Sequence, residues 1–223
     1  MNYKNYINII VVFSFILVLP ENVRAGEQLS VPEIAAELQQ TYEQTRTIQA
    51  DFQQKASVTG MPDRQRIGRG KVKIKKPGLI RWDYMTPEKQ ILVSDGEQFS
   101  FYLAEENQMI VTTVEQYLGK DVIYSFFKGS GQIMEDFKAA PAPEKMCTPD
   151  NYCLKLTPKE SHPQVETFYI WCDRESYMIK RLRILDPLGG FTDIKFSNIV
   201  ANQPVSDEIF SFSPPSGTEI IRQ

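Results

Sequence analysis

The sequence is poor in the side chains on which most enzyme sites depend. Among its 223 residues there are one histidine and three cysteines. His162 lies in a proline-flanked loop, where an exposed and non-catalytic position is expected. Carboxylates are spread along turns, and neither a nucleophile elbow nor a metal-ligand or phosphate-binding spacing occurs in the sequence. We therefore expect a protein that is not an enzyme and that uses no metal or cofactor.

Positive charge does not dominate either. The 25 lysines and arginines face 28 aspartates and glutamates, which gives a net charge of −3 at pH 7. No basic stretch with interleaved aromatic residues appears, so nucleic acid is not an expected partner. A lysine cluster at Lys71, Lys73, Lys75 and Lys76 falls mostly on the solvent side of a strand. It is interpreted as a solvated sheet edge that discourages aggregation, with a binding patch as the alternative.

Long apolar runs are limited to the N-terminus. Lys4 precedes an apolar run from Ile7 to Leu19, and Val23 and Ala25 are small residues at the positions a signal peptidase reads. The run is shorter than the roughly twenty residues that a membrane-spanning helix needs. We therefore expect a signal peptide at residues 1–25, with no cysteine after it to be lipidated. Residues 26–223 are then predicted to form one exported domain.

The rest of the chain is dominated by short runs in which apolar and polar residues alternate. This period of two predicts half-buried strands. Pro77-Gly78 and Asp95-Gly96 separate consecutive strands as tight turns, so the strands are predicted to be antiparallel neighbours. About nine to eleven strands are expected, and a sheet of that size curls into an incomplete antiparallel β-barrel. The predicted fold class is mainly β with helices.

Two helical segments are expected to cover the concave face of this sheet. Ser30 and Glu33 form a capping box with Pro32 in the first turn, which predicts a helix that ends near Thr45. From Val114 to Ala140 the alternation gives way to three- and four-residue spacings broken by glycines, which predicts two short amphipathic helices. The lid candidates in this insert are its apolar side chains: Ile123, Phe126, Phe127, Ile133, Met134 and Phe137.

The concave face is expected to be apolar and rich in aromatic residues. From composition alone, a binding cavity and an ordinary filled core are equally good interpretations. The candidate lining residues are Phe52, Ile80, Trp82, Tyr84, Ile91, Val93, Phe99 and Phe101.

Three cysteines are an odd number for an oxidising compartment. Cys147 and Cys153 flank a turn sequence, so a structural disulfide between them is favoured. A rival strand register would pair Cys153 with Cys172. The two spacings leave this choice open.

Several motifs, in order along nearly all of the predicted mature chain, resemble those of the periplasmic outer-membrane lipoprotein carrier family LolA. They include Phe52-x-Gln54, the segment from Lys76 to Trp82, the segment from Leu92 to Gly96, and the closing segment from Phe210 to Gly217. The resemblance implies an incomplete barrel closed by a helical lid. It also implies a monomeric periplasmic carrier that accepts outer-membrane lipoproteins from an inner-membrane ABC transporter and passes them to an outer-membrane receptor.

One residue departs from the family pattern. The family usually has an arginine before the proline of the third motif, where it holds the lid through backbone carbonyls, and this chain has Lys76. Lysine offers a point charge without a planar fork, so a looser latch is expected. Two other functions stay open: a lipid or lipoprotein sensor of the same fold, which usually carries a second domain or a lipidated cysteine, and a secreted lipid-processing enzyme.

Overall fold

The computed structural model describes residues 29–58, 61–118 and 131–223. The side chains of residues 58, 61–63 and 117–118 are left out of the description. The signal peptide predicted at residues 1–25 therefore lies outside the described residues, as do the lid candidates Ile123, Phe126 and Phe127.

The described chain is mainly β. Helices α1, α2 and α3 span Val31–Gln44, Val114–Leu118 and Ile133–Asp136. Short 3-10 turns lie at Glu144–Met146 and Asp207–Phe210. The strands are β1 Thr47–Val58, β2 Met61–Lys75, β3 Leu79–Thr86, β4 Gln90–Asp95, β5 Gln98–Leu103, β6 Gln108–Thr113, β7 Phe137–Pro141, β8 Asn151–Pro158, β9 Thr167–Asp173, β10 Ile179–Leu185, β11 Phe191–Ala201 and β12 Glu219–Arg222.

All of these strands belong to one open sheet. Its order is β12-β6-β5-β4-β3-β2-β1-β11-β10-β9-β8-β7, so the sheet has twelve strands where nine to eleven are predicted. The additional strand at one edge, β12, pairs parallel with β6, whereas every other pair is antiparallel. A four-residue strand with an irregular burial pattern gives no alternation signal, which explains why the sequence does not reveal β12.

Helix α1 starts where the sequence predicts it. The backbone N–H and the hydroxyl of Ser30 both donate to Glu33 Oε2, at 2.7 and 2.6 Å. Ile34, Leu38 and Tyr42 lie at helical spacing and are buried on the face that packs against the sheet. We call the sheet face that α1 covers the front face, and the opposite one the back face.

The two faces of the sheet carry separate hydrophobic clusters. The larger cluster fills the front face and joins α1 and Ile133 to strands β1–β3 and β8–β11. The smaller lies on the back of β4–β6 and contains Ile91, Val93 and Phe210. The prediction that Ile91 and Val93 line the front face is therefore wrong. Both faces of β4 are covered, so its Ile-Leu-Val run carries no alternation from which the sequence could assign a face.

The back-face cluster is completed by the segment 203–214, which we call the C-terminal strap. Lys75 Nζ donates to the Val205 carbonyl at 3.0 Å and pairs with Asp207 at 2.5 Å. Arg81 donates to the Ile209 carbonyl at 2.8 Å. Strand β2 is also central in the sheet, so the interpretation of its lysines as a solvated edge is wrong: Lys75 fastens the strap.

The helical insert is shorter than predicted. Phe137, predicted as a lid residue on a helix, is instead the first residue of β7 and pairs with Pro158. A five-residue strand is too short for its alternation to stand out against a helical spacing. Within the described ranges, no helix has the length and apolar character needed to cross a membrane.

Candidate functional site

A strip of aromatic and aliphatic side chains on the front face is only partly covered. Phe101, Leu92 and Trp82 lie in one cross-strand row over β5, β4 and β3. Tyr84 and Phe196 belong to the neighbouring row, in which Gly70 and Phe52 lie between them. All five pack on the main core while staying partly exposed. We call these five residues the open strip. Apolar side chains that stay accessible next to a packed core form a surface that an apolar ligand can cover.

Phe52 supports the open strip from below. Its ring lies 4.7 Å from that of Trp82 and 4.8 Å from that of Tyr84, both in edge-to-face geometry. The Trp82 and Phe196 rings are 6.1 Å apart. Edge-to-face pairs of this kind are each worth about 0.5–1.5 kcal/mol beyond the burial of area. The strip is therefore a fixed aromatic surface.

Two glycines of β2 make room for these rings. A Cβ atom on Gly70 would lie 1.9 Å from the Asp83 carbonyl oxygen and 2.9 Å from the Phe52 ring. A Cβ on Gly68 would lie 3.0 Å from the Tyr84 ring. Any larger residue at Gly70 would push the backbone of β3 away, because the obstructing atom belongs to the main chain.

Tyr84 has a polar attachment as well. Its hydroxyl donates to Gln54 Oε1 at 2.6 Å, and burial raises the pKa of this hydroxyl to about 12. The phenol therefore stays neutral at physiological pH, and the strip carries no charge there.

The predicted lining residues divide into three groups. Trp82, Tyr84 and Phe101 belong to the open strip. Phe52, Ile80 and Phe99 lie on the same face of the sheet, but they are buried in the front-face cluster. Ile91 and Val93 lie on the back face, as described above.

Sequence reasoning missed Leu92 and Phe196. Leu92 lies directly opposite both Trp82 and Phe101 in the sheet. Pairing the predicted strands around the Pro77-Gly78 and Asp95-Gly96 turns would have found it. Phe196 lies opposite Phe52 across the β1–β11 pair, which joins distant parts of the chain and leaves no local sequence signal.

Lys76, the predicted latch, holds helix α1. Its Nζ donates to the main-chain carbonyl of Tyr42, in the last turn of the helix. Burial lowers the pKa of Lys76, while the nearby Glu43 carboxylate opposes this shift. A cation at a helix C-terminus is favourable because the unpaired carbonyls there carry partial negative charge. Among the described residues, the partner of Lys76 is thus α1, with no bond to the insert.

Helix α1 is in turn bonded to the end of the insert. The Gln39 side chain donates to the Gly131 carbonyl at 3.1 Å and accepts from the Ile133 N–H at 3.2 Å. Ile133, a predicted lid residue, is buried in the front-face cluster, and its neighbour Met134 is 43% exposed. Lys159 Nζ donates to the Met134 carbonyl at 2.8 Å. The described end of the insert is therefore fixed both to α1 and to the sheet.

The three cysteines are free thiols in the structure, so neither predicted disulfide is formed in it. Cys153 lies opposite Trp171 and Cys172 opposite Tyr152, which puts the two cysteines on opposite faces of the β8–β9 pair. The rival Cys153–Cys172 bridge is therefore wrong. Burial and the interaction with the Cys147 side chain raise the pKa of Cys153 to about 12. Cys147 and Cys153 are thus neighbours, and the bridge between them stays a prediction.

The expectation that the protein is not an enzyme rests on His162 and on metal-ligating residues. The Nδ1 atom of His162 accepts from the Gln164 backbone N–H at 3.2 Å within its loop. Within the described residues, no cluster of three or more histidines, cysteines or carboxylates has the geometry of a metal site.

Comparisons with known proteins show the family of the chain. The model of the family "Outer membrane lipoprotein carrier protein LolA" matches residues 43–213. An outer-membrane lipoprotein carrier protein of Methylococcus capsulatus is 27% identical, covering 93% of this chain and 97% of its own length. One of Pseudomonas putida is 26% identical, covering 91% and 90%.

Among solved structures, an uncharacterised conserved protein of Thermus thermophilus has a TM-score of 0.54 at 14% identity. It covers 87% of this chain and all of its own, and at that identity it supports the fold alone. Because the family model spans residues 43–213, from the end of α1 to the strap, this chain belongs to the LolA family of outer-membrane lipoprotein carrier proteins.

Proposed function

We propose that the protein is a periplasmic carrier that binds the acyl chains of outer-membrane lipoproteins against the open strip. Its mature form is a single domain of residues 26–223 after removal of a signal peptide at residues 1–25. Family membership and the names of the relatives support the carrier role. The observation that carries the site is the partly exposed aromatic strip that packs against the front-face cluster.

A carrier is needed because acyl chains do not cross water unaided. Each buried methylene is worth about 0.8 kcal/mol, so one sixteen-carbon chain represents roughly 12 kcal/mol. The aromatic strip supplies apolar contact area. Its rigid edge-to-face rings cannot close around mobile chains as lipid tails do, which limits the affinity and favours release.

A second limit on the affinity for acyl chains is set by the cover of the front face, which consists of helix α1 and the end of the insert at Ile133. Helix α1 and the buried Ile133 pack on the front face. Moving them away exposes apolar surface at a cost of about 25 cal/mol per Å². This cost is subtracted from the gross affinity for acyl chains. The protein can then release cargo without using nucleotide energy, and Lys76 adjusts the balance by holding α1.

The proposed transport route begins at the inner membrane and ends at the outer membrane. An inner-membrane ABC transporter hands over the lipoprotein, and an outer-membrane receptor removes it. The protein acts as a monomer and without catalysis or a cofactor on this route. The family resemblance supports these partners, and a two-step transfer assay with each partner separately tests them.

The acyl-chain site is tested by Phe101→Glu. A carboxylate in the open strip has to be desolvated when an acyl chain covers it, so lipoprotein binding should be lost. Gln98→Glu adds the same charge at an exposed position on the back face of the same strand and is the matched control. Photo-crosslinking to a triacylated lipoprotein, with circular dichroism to confirm the fold, is the measurement. Equal crosslinking of the two variants would contradict the site.

A further inference from the structure

The back face of the sheet divides into a half covered by the C-terminal strap and a more open half. Within the open half Trp171 is buried, and its indole N–H donates to the Met146 carbonyl of the Glu144–Met146 turn at 2.7 Å. The C-terminal strap lies over β3–β6. On β1, β2 and β8–β11, side chains from distant parts of the chain form two cross-strand rows. The first row is Ile67, Lys55, Asp193, Arg183, Tyr169 and Lys155. The second is Arg69, Gln53, Lys195, Arg181, Trp171 and Cys153. We call them the basic rows.

The basic rows concentrate positive charge on a protein whose net charge is −3. They hold six lysines and arginines and a single carboxylate, Asp193. Asp193 is already engaged, because Arg181 pairs with it at 2.5 Å and Arg183 lies 4.0 Å away. Lys55, Arg69, Lys155 and Lys195 have no ion pair with any described residue. This half of the sheet is therefore a surface of uncompensated positive charge.

Apolar side chains protrude at one end of the same surface. Leu188, in the turn between β10 and β11, is 77% exposed. Ile67, at the end of the first basic row, is 49% exposed. The guanidinium of Arg183 lies 4.7 Å from the centroid of the Phe191 ring, next to that turn. Basic side chains thus lead directly to an exposed leucine at the tip of a hairpin.

We propose that the basic rows dock this protein on the anionic headgroups of a membrane, with Leu188 entering the headgroup layer. An acidic protein would satisfy the charges but would leave Leu188 and Ile67 unexplained. A lipid surface takes both, because lysines and arginines bind headgroups while an apolar tip enters the boundary with the acyl chains. In this orientation the back face of the sheet contacts the bilayer. Acyl chains bind on the front face, so docking and acyl-chain binding use opposite faces of the sheet.

Docking of this kind is strong only where charge is concentrated. Each basic residue close to an anionic surface strengthens binding on the order of five-fold, and the effect fades within a Debye length of about 8 Å at physiological salt. The acidic remainder of the protein is repelled by the same surface. Binding should therefore occur in one orientation and weaken steeply as salt is added.

The test uses the triple variant Lys55→Gln, Lys155→Gln, Lys195→Gln. Co-sedimentation is measured with vesicles of phosphatidylcholine alone and of equal parts phosphatidylcholine and phosphatidylglycerol. The native protein should sediment with the anionic vesicles only, and the triple variant should bind them about a hundred-fold more weakly. The matched control, Arg46→Gln, Lys89→Gln, Arg222→Gln, removes the same charge from exposed positions outside the basic rows and should bind much as the native protein does.

Three results would overturn docking on a membrane. They are equal sedimentation with neutral vesicles, equal loss in the triple variant and its control, and binding to polyglutamate without binding to anionic vesicles. Leu188→Ser should weaken vesicle binding several-fold and leave its salt dependence unchanged. Phe101→Glu should sediment like the native protein. Failure of the acyl-chain site and failure of membrane docking therefore give different outcomes.

Discussion

In the proposed carrier mechanism, Lys76 is the side chain that sets the balance between uptake and release. It reaches from the end of β2 to the last turn of α1, and the residue before a proline is held extended, which gives the side chain a defined direction. The Lys76 ammonium donates to a carbonyl in the last turn of α1. This bond holds the helix on the sheet but is weak enough to be broken when the helix moves. Arginine, which the family usually has here, would do the same with more donors.

We expect Lys76→Leu to take up lipoprotein and to fail in delivery. Loss of the charged hydrogen bond removes about 1.5–3 kcal/mol from the cost of moving α1, so the affinity for cargo should rise roughly ten- to a hundred-fold. Lys76→Arg should transfer normally. A two-step assay that scores uptake and delivery separately is the measurement, with Lys71→Leu on the back face of the same strand as the control. Normal delivery by Lys76→Leu would show that α1 is held by other contacts.

Gly70 is a second position at which one added side-chain atom is expected to change the stability of the protein. Gly70→Ala should lower the free energy of unfolding by about 3 kcal/mol, because its methyl group meets the main chain of β3. Gly189→Ala is the comparison. Nothing lies within 4 Å of a Cβ there, and only its positive φ of 83° is unfavourable, at about 1 kcal/mol. Urea denaturation of both variants measures the difference, and equal losses would mean that β3 moves aside easily.

At the scale of elements, the Cys147 thiol in the connection between β7 and β8 is a neighbour of the Cys153 thiol on β8. In an oxidising compartment, a Cys147–Cys153 bridge should form and stabilise this hairpin by about 2 kcal/mol, at the low end for disulfides because the closed loop is short. After denaturation without reduction, Cys172 alone should then react with a thiol reagent. Peptide mapping checks the result, and alkylation of all three cysteines would show that the thiols stay reduced.

The C-terminal strap is an element that the sheet needs on its back face. Phe210 is 2% exposed within the back-face cluster, so Phe210→Ala should cost about 3–4 kcal/mol of unfolding free energy. Phe212→Ala, at a half-buried position beneath Arg81, should cost less than half as much. Thermal unfolding with limited proteolysis of the C-terminus measures both variants. If Phe210→Ala unfolds like the native protein, the strap contributes nothing to global stability.

For the whole molecule, the sequence predicts what depends on local pattern. The capping box at Ser30, the strand alternation and the turns at Pro77-Gly78 and Asp95-Gly96 are each written in a few consecutive residues, and the structure confirms them. An open sheet with helices on one face follows from them. The family resemblance added the function, which no local pattern contains.

The features that could not be predicted from the sequence depend on residues that are far apart in the chain. Ile91 and Val93 are buried on the face opposite Leu92 because the C-terminal strap covers them, and this cover is not apparent from the sequence around β4. Phe196 joins the open strip through the β1–β11 pair, and Lys75 finds Asp207 across the back face. The basic rows are assembled from six strands in the same way. The basic stretch at residues 64–76 contributes only Arg69 to their charge, so it does not locate them.

The amide of Gln39 has a mechanical consequence for loading. It bonds with both its donor and its acceptor to the returning end of the insert, so displacement of α1 pulls on residues 131–133 at once. The two parts of the cover, helix α1 and the returning end of the insert, are therefore coupled. We expect them to move together when cargo binds. A cargo with a single acyl chain has to do the same work as one with three. On the proposed function, we expect weakly lipidated molecules to bind poorly, because their burial energy falls short of this fixed opening cost.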